Sequence, residues 1–187
     1  MHAEVTGIIL AGGRGQRMGG LDKGLVEYQG RPLVSHLIER LQPQVDRLII
    51  SANRNLECYR QFGLAVVSDM HQDFQGPLAG ILAAGRECQS PWLLIAPCDL
   101  PQLPLDLSAR LLAAVQQRPA QIALAHDGQR SQQLCLLLQR SLLDDLSLYL
   151  ASGERRVISW IERHPWTQVD FADQPQAFHN LNYLQPN

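Results

Sequence analysis

Short apolar runs rich in branched residues alternate along most of the chain with segments of helical periodicity. Four runs are typical of buried strands: Val5–Leu10, Leu48–Ile50, Leu64–Val67 and Trp92–Ala96. Three segments repeat apolar residues at helical spacing: Val34, Leu37, Ile38 and Leu41; Leu78, Ile81 and Leu82; Leu107, Leu111 and Leu112. Strands that alternate with crossover helices form a mostly parallel sheet covered on both faces. The sequence therefore predicts an α/β protein, a three-layer sandwich around a Rossmann-like sheet.

After Ala120 the alternation gives way to two strands and two helices. The strands are predicted at Ile122–Ala125 and Leu134–Leu138, separated by a turn at Asp127–Gly128. Two helical stripes follow, and Gly153 can end the first: Leu142, Leu146, Tyr149 and Leu150, then Val157, Trp160 and Ile161. The 187 residues are 45% hydrophobic and contain no repeat or linker. We therefore expect a single domain over residues 1–187.

The charge balance and the cysteine pattern exclude several classes of function. Lysine and arginine number 16 against 18 acidic residues, so the net charge of −2 gives no general attraction to nucleic acid or an anionic membrane. No apolar run reaches the roughly 20 residues of a membrane helix. The cysteines are too scattered for a zinc site or redox dithiol and are interpreted as small core residues: Cys58, Cys88, Cys98 and Cys135. No secretory signal pattern is visible, so we expect a cytoplasmic protein without nucleic-acid or membrane partners.

A glycine-rich loop follows the first predicted strand, over residues 10–24. Five glycines precede Lys23, and Arg14 and Arg17 lie among them. Glycines let backbone N–H groups approach a ligand and form an anion-binding concavity, while the basic side chains supply charge. This composition predicts a polyphosphate site at the carboxyl end of the strand, where α/β sheets bind ligands. The alternative is a surface loop whose charges are merely solvated.

The same stretch fails two common phosphate motifs. The dinucleotide pattern GxGxxG breaks at Met18, and a Walker A loop needs Ser or Thr where Gly24 stands. From Leu10 to Leu25 the loop instead resembles the LAGGxxxRMGGxDKxL signature of the molybdenum cofactor guanylyltransferases, which make molybdopterin guanine dinucleotide. Sugar-nucleotide pyrophosphorylases and cytidylyltransferases share only a looser form of this signature.

The resemblance implies transfer of GMP from GTP to molybdenum-molybdopterin, with Mg2+ as cofactor and release of pyrophosphate. It implies a fold of the nucleotide-diphospho-sugar transferase type, in which about residues 1–100 bind the nucleotide and about residues 101–187 contribute the molybdopterin side. Transient contact with proteins of cofactor synthesis or molybdoenzyme maturation is also implied. The alternatives are a cytidylyltransferase or sugar-nucleotide pyrophosphorylase and, in another class, a non-catalytic GTP-binding or cofactor-carrier protein.

The loop residues implied to bind GTP are Leu10, Ala11, Gly12, Gly13 and Lys23. Asp99 directly follows a predicted central strand, where a carboxylate can hold Mg2+ against phosphates. The alternative is that it caps the following turn. The family's Pro-Cys-Asp-x-Pro segment matches residues 97–101, which implies that Asp99 binds the metal and the nucleotide. Arg17, Lys23 and Asp99 are the catalytic candidates.

Polar residues also follow two other predicted strands, at Ser51, Asn53 and Asp69. A carboxylate can accept from guanine N1 and N2, and an amide can donate to O6. The same residue types are common in turns, which is the alternative. The family uses an Asn at or beside Ser51 and an Asp that matches Asp69 for the nucleotide, so Ser51 and Asn53 both remain candidates.

Three further segments match the family. Gly76 and Gly80 lie in a GPLAG segment that the family places beside base and ribose, although a helix start without a ligand would look the same. Arg155 and Arg156 lie in a GERRV segment and could bind a pterin phosphate or remain solvated. Asn180 and Asn182 match an NxN segment and could support the metal or form a turn. Gln133 stands where family members often have Pro.

Overall fold

The computed structural model describes residues 4–12, 21–69 and 76–181. The strands are β1 (Val5–Leu10), β2 (Glu27–Tyr28), β3 (Arg31–Pro32), β4 (Arg47–Ser51), β5 (Ala65–Val67), β6 (Trp92–Pro97), β7 (Ile122–His126), β8 (Ser131–Gln139) and β9 (Trp166–Asp170). The α-helices are α1 (Leu33–Leu41), α2 (Leu56–Arg60), α3 (Pro77–Arg86), α4 (Leu107–Gln117), α5 (Leu143–Ala151) and α6 (Val157–Ile161). Short 3-10 helices cover Lys23–Leu25, Gln42–Gln44, Arg140–Leu142 and Pro175–Phe178.

A seven-stranded sheet in the order β5-β4-β1-β6-β8-β7-β9 forms the middle layer, and β2 and β3 form a separate hairpin. Strand β1 pairs in parallel with β4 and β6, and β4 pairs in parallel with β5. Strand β8 is antiparallel to both β6 and β7, and β9 is parallel to β7. Within this sheet β8 alone therefore runs against the others, which confirms the predicted mostly parallel sheet.

Alternate side chains of the strands point into two separate cores. Ile9 packs on one face with residues of α1 and α4, such as Leu37 and Leu111. Ile8, its neighbour in β1, packs on the other face with residues of α3, α5 and α6. This alternation is the two-residue period of a strand covered on both sides. The α/β class and its three layers are confirmed.

The sequence located every strand and helix with a strong apolar pattern, within a few residues of its ends. Gly153, with φ of 90°, follows α5 as expected. Four elements were not predicted: α2, β9 and the hairpin of β2 and β3. Each is short, and the edge strand β9 has one buried residue, Thr167, so neither length nor apolar period marks it. The prediction for Cys58 was wrong because this residue is exposed, whereas the other three cysteines are buried.

Within the described ranges, none of the helices is both long enough and apolar enough to cross a membrane.

Candidate functional site

A cavity of about 510 Å³ opens at the edge of the sheet where β1, β4, β5 and β6 end. Open parallel sheets bind ligands at this edge because the loops that leave adjacent strands diverge there. The residues that line it are Leu10, Ala11, Gly12, Lys23, Ser51, Asn53, Asp69, Gly76, Pro77, Gly80, Pro97, Cys98, Asp99 and Leu134. The structure thus brings together ten of the predicted site residues. Gly13, Arg17 and Asn182 lie outside the described residues.

Backbone pairing continues one residue beyond the strands and fixes the floor of the cavity. Ala11 N donates to Ser51 O at 2.8 Å, and Cys98 N donates to Leu10 O at 3.0 Å. The chain segments that carry Gly12 and Asp99 therefore leave the sheet in register. A Cβ on Gly12 would lie 3.4 Å from Asn53 Nδ2, so the backbone of the loop approaches the Asn53 amide closely.

Asp99 places a buried carboxylate in the cavity wall. The residue is 7% exposed, and its Oδ2 accepts from Lys23 Nζ at 3.3 Å. Its Oδ1 is buried without a hydrogen-bond partner in the described structure. An unsatisfied buried carboxylate oxygen costs about 1–3 kcal/mol or more. Persistence of such a group in a cavity indicates a cationic ligand.

The donor set around Asp99 fits Mg2+ that is shared with a phosphate ligand. In the part of the chain that the structure describes, no group of three His, Cys, Asp or Glu residues could hold a metal ion. Mg2+ accepts this arrangement, because it commonly binds one or two carboxylates and completes its shell with water and substrate phosphates. A lone, hard carboxylate oxygen that faces a cavity is therefore a suitable protein ligand.

Asn53 and Asp69 follow β4 and β5, which lie across β1 from β6 and Asp99, so they line the end of the cavity away from Asp99. Asn53 Oδ1 accepts from Ser68 Oγ at 3.1 Å and from Asp69 N at 3.0 Å, so its carbonyl side already holds the turn after β5. Asp69 is 7% exposed. Burial raises the pKa of its carboxyl, and hydrogen bonds with Asn53 and its own backbone offset this only in part. A ligand that donates hydrogen bonds to this carboxylate would relieve the cost of its burial.

Helix α3 approaches the strands closely at Gly80. A Cβ at this position would lie 2.7 Å from Ser51 Oγ and 3.4 Å from Leu10 Cδ2. The helix begins at Pro77 after Gly76, whose φ of 97° favours glycine. The backbone therefore requires glycine at both positions, Gly76 for its positive φ and Gly80 for the close approach, and both residues also line the cavity.

We expect Gly80→Ala to lower the free energy of unfolding by about 1–2 kcal/mol, because the clash with Ser51 exceeds the gain in helix propensity. Chemical denaturation measures this change. A Ser51→Ala/Gly80→Ala double variant should recover most of the loss, since it removes the hydroxyl that the new methyl group meets. Equal stability of wild type and Gly80→Ala would contradict the close approach.

Of the C-terminal candidates that the structure describes, none lines the cavity: Arg155, Arg156 and Asn180. Arg155 Nη1 donates to Leu150 O at 2.8 Å, which ties this side chain to the end of α5. Arg156 is exposed. Asn180 is also exposed, but Leu181 N donates to Asp99 O at 3.2 Å, so this segment runs beside Asp99. Their assignment to the molybdopterin side stays a prediction.

Four lining residues were not predicted: Pro77, Pro97, Cys98 and Leu134. Pro77, Pro97 and Cys98 lie within two positions of predicted site residues in the sequence. Leu134 comes from β8, whose antiparallel direction brings its first residues to the same edge of the sheet. Burial raises the pKa of the Cys98 thiol. A protonated thiol is a poor nucleophile, so the cavity offers no activated cysteine for covalent catalysis.

Comparison with known proteins agrees with this geometry. The family model described as MobA-like NTP transferase domain matches residues 7–168. A molybdenum cofactor guanylyltransferase of Shewanella sp. (strain MR-4) is 47% identical over 182 residues, which cover 97% of this chain and 92% of the relative. That of Shewanella putrefaciens (strain CN-32 / ATCC BAA-453) is 45% identical over 185 residues, covering 99% and 95%.

Among solved structures, the molybdopterin-guanine dinucleotide biosynthesis protein A of Archaeoglobus fulgidus superposes with a TM-score of 0.78. Its sequence identity is 19%, and the match covers 96% of this chain and 93% of that one, so it shows a shared fold. A nucleotidyltransferase fold, a phosphate-compatible cavity and full-length relatives thus agree. The chain belongs to the molybdenum cofactor guanylyltransferases, within the MobA-like NTP transferase family.

Proposed function

We propose that this protein transfers GMP from GTP to molybdenum-molybdopterin, so that molybdopterin guanine dinucleotide forms and pyrophosphate leaves. The observation that carries the proposal is the buried Asp99 carboxylate, in a cavity that also contains Asp69. One of its oxygens pairs with Lys23, and the other has no partner among the described residues. One end of the cavity suits phosphates and a cation. The other end offers an acceptor for the edge of a base.

The phosphate end would act by positioning and charge stabilisation. A terminal phosphate oxygen of the acceptor attacks the α-phosphorus of GTP, and the bond to pyrophosphate breaks. This oxygen is already ionised near neutral pH, so no protein base is needed. Lys23 would neutralise charge that develops on the phosphates, as would Arg17. Asp99 would hold Mg2+, which when bound supplies Lewis-acid neutralisation of the phosphate charge.

The base end favours guanine over cytosine. The N1–H and N2–H groups of guanine are donors that match the two oxygens of the Asp69 carboxylate. Cytosine presents an unprotonated ring nitrogen, an acceptor that the same carboxylate would repel. Asn53 fixes the turn that carries Asp69, and either Ser51 or the amide nitrogen of Asn53 can add a further contact.

The positions of the described lining residues in the sequence suggest how the chain is divided between the two substrates. All lining residues except Leu134 precede position 100, which supports a nucleotide site built by about residues 1–100. Leu134 and the segment around Asn180 approach Asp99 from the other side of β6. We assign the molybdopterin side to about residues 101–187 on this basis, with Arg155 and Arg156 as candidate phosphate contacts.

The direct test is pyrophosphate release from the purified protein with Mg2+, molybdenum-molybdopterin and one nucleoside triphosphate at a time. Release with GTP that depends on the acceptor supports the proposal. Release with CTP but not with GTP would identify a cytidylyltransferase instead. GTP binding without turnover would identify a binding or carrier protein, the alternative from another class.

Asp69 should make GTP binding depend on pH. Because burial raises the pKa of this carboxyl above the ordinary 3.8, it takes up a proton at a higher pH than an exposed aspartate. Binding needs the carboxylate, so the affinity for GTP should be constant at neutral pH and fall as the pH is lowered to about 4. Dissociation constants measured by calorimetry across this range test the effect.

The matched control is Asp69→Asn, in which the phosphates of GTP titrate as they do with the wild type. The difference between the two pH profiles therefore reports Asp69 itself. We expect the variant to bind GTP more weakly at neutral pH and with a flatter profile. Parallel profiles for the two proteins would remove Asp69 from base recognition.

A further inference from the structure

A buried carboxylate that the reaction does not use lies next to the catalytic lysine. Asp22 is 9% exposed and does not line the cavity, whereas its neighbour Lys23 does. Both Asp22 oxygens are satisfied: Tyr59 Oη donates to Oδ1, and Asn55 Nδ2 donates to Oδ2 at 3.0 Å. Arg54 Nη2 adds a longer contact of 3.4 Å to Leu21 O. The short segment from Arg54 to Tyr59 therefore holds the chain directly before Lys23.

The two donors are themselves fixed. Tyr59 is fully buried, and burial together with the hydrogen bond to Asp22 raises its pKa, so the hydroxyl stays protonated and keeps donating. Asn55 has φ of 49°, a left-handed conformation that it adopts directly before α2. Gly24 packs against the Tyr59 hydroxyl so closely that an added Cβ would lie 2.4 Å from it. Tyr59 therefore contacts the residues on both sides of Lys23, namely Asp22 and Gly24.

Lys23 needs such support, since its side chain is 32% exposed and ends on Asp99 across a 3.3 Å ion pair. A lysine has four flexible methylene groups, so its side chain does not fix the ammonium by itself, and a defined backbone position reduces the number of places that the ammonium can occupy. Its backbone belongs to a single 3-10 turn, Lys23–Leu25, closed by Leu25 N donating to Asp22 O at 3.0 Å. One turn without outside support would be a weak anchor.

We propose that Tyr59 and Asn55 are positioning residues for Lys23, and that they act by locking Asp22. The loop between β4 and α2, which carries Asn55, also carries Asn53, and Asn53 Oδ1 accepts from Asp69 N at the base end of the cavity. Residues 53–55 therefore support Lys23, which would contact the phosphates, and Asp69, which would contact the base. The activity test rests on the proposed function, whereas the structural test does not.

The test uses two conservative variants. Tyr59→Phe removes one hydroxyl, and Asn55→Gly removes the amide while allowing the left-handed backbone. Each should lower kcat by about tenfold to a hundredfold with KM for GTP within about twofold, because an interaction that matters mainly in the transition state is weakened. Ser90→Ala is the matched control, since it removes a buried hydroxyl pair with Thr6 before the start of β6, at the opposite edge of the sheet. It should leave kcat unchanged.

A double-variant cycle separates positioning from general destabilisation. In a Lys23→Met background, Tyr59→Phe should cause no further loss of kcat, because the group that it positions is absent. An unchanged kcat in Tyr59→Phe, or a full additional loss in the Lys23→Met background, would overturn the proposal.

Native-state hydrogen exchange supplies the readout that is independent of activity. In Tyr59→Phe the amide of Leu25 should exchange at least about tenfold faster, because it bonds to Asp22 O, while the amide of Cys98 at the floor of the cavity should keep its rate. Unchanged exchange at Leu25 would overturn the positioning role even if the enzyme is inactive with GTP. Faster exchange at Leu25 in a protein without turnover would support the structural role of Tyr59 and contradict only the proposed function.

Discussion

Asp99→Asn should lower turnover by about a thousandfold or more, equivalent to about 4 kcal/mol in the barrier, while the protein folds normally. The amide has the shape of the carboxylate but lacks its negative charge, so it binds a divalent cation much more weakly. Because Asp99 Oδ1 is buried without a partner in the described ranges and the Lys23 side chain is 32% exposed, loss of the charge should change the free energy of unfolding by no more than about 1 kcal/mol. Steady-state pyrophosphate release and chemical denaturation measure the two quantities.

A thermal-shift experiment links this loss to the metal. In the wild type, Mg2+ added to a saturating amount of GTP should raise Tm further, and in Asp99→Asn this increment should vanish. Asp173→Asn is the control, since Asp173 is an exposed carboxylate that pairs with Arg110 away from the cavity. Turnover of Asp99→Asn within tenfold of the wild type, or an intact Mg2+ increment, would show that Asp99 does not hold the cation.

The sequence could predict the cavity because it could predict the direction of the strands. Parallel strands end at one edge, so residues that follow different strands must meet there. Gly12, Ser51, Asp69 and Asp99 come together for this reason, although up to 87 positions separate them in the sequence. The glycine loop and the Pro-Cys-Asp-x-Pro segment then predict which of these turns bind the phosphates and the metal.

Contacts that depend on side-chain direction could not be predicted in this way. The bond from Tyr59 to Asp22 joins residues 37 positions apart, and although Asp22 lies in the loop signature, no sequence pattern points to Tyr59 as its partner. Asn53 illustrates the same limit. Its position in the cavity followed from the end of β4, but the bonds that commit its carbonyl oxygen to Ser68 and Asp69 are visible only in the structure.

The C-terminal part was harder to interpret for a physical reason. Its strands do not all end at the cavity edge, since β8 runs antiparallel and presents its beginning there. The sequence therefore does not predict Leu134 as a lining residue, and only the GERRV motif points to Arg155 and Arg156. The structure ties Arg155 to the end of α5 and leaves Arg156 exposed, so a bound acceptor would have to bring these side chains into use.

Lys23→Met should produce the second large effect, a fall in kcat of about a hundredfold to a thousandfold with a smaller change in KM for GTP. Methionine keeps the length and apolar stem of lysine but removes the charge that would stabilise the phosphates as pyrophosphate leaves. Lys23→Arg is the matched variant that keeps the charge. It should retain more activity than Lys23→Met but less than the wild type, because a planar guanidinium reaches a different position.

Stability provides an independent check on Lys23. Its ammonium is the partner of Asp99 Oδ2, and no described residue donates to Oδ1. Lys23→Met therefore leaves a buried carboxylate without the cation that the structure shows beside it. We expect a loss of about 1–2 kcal/mol in the free energy of unfolding, less than for a fully buried pair because Lys23 is partly exposed. Lys23→Met/Asp99→Asn should regain most of this loss without regaining turnover. If the double variant were no more stable than Lys23→Met, the two side chains would not be coupled in solution. The ion pair between them would then not be what stabilises the buried Asp99 carboxylate.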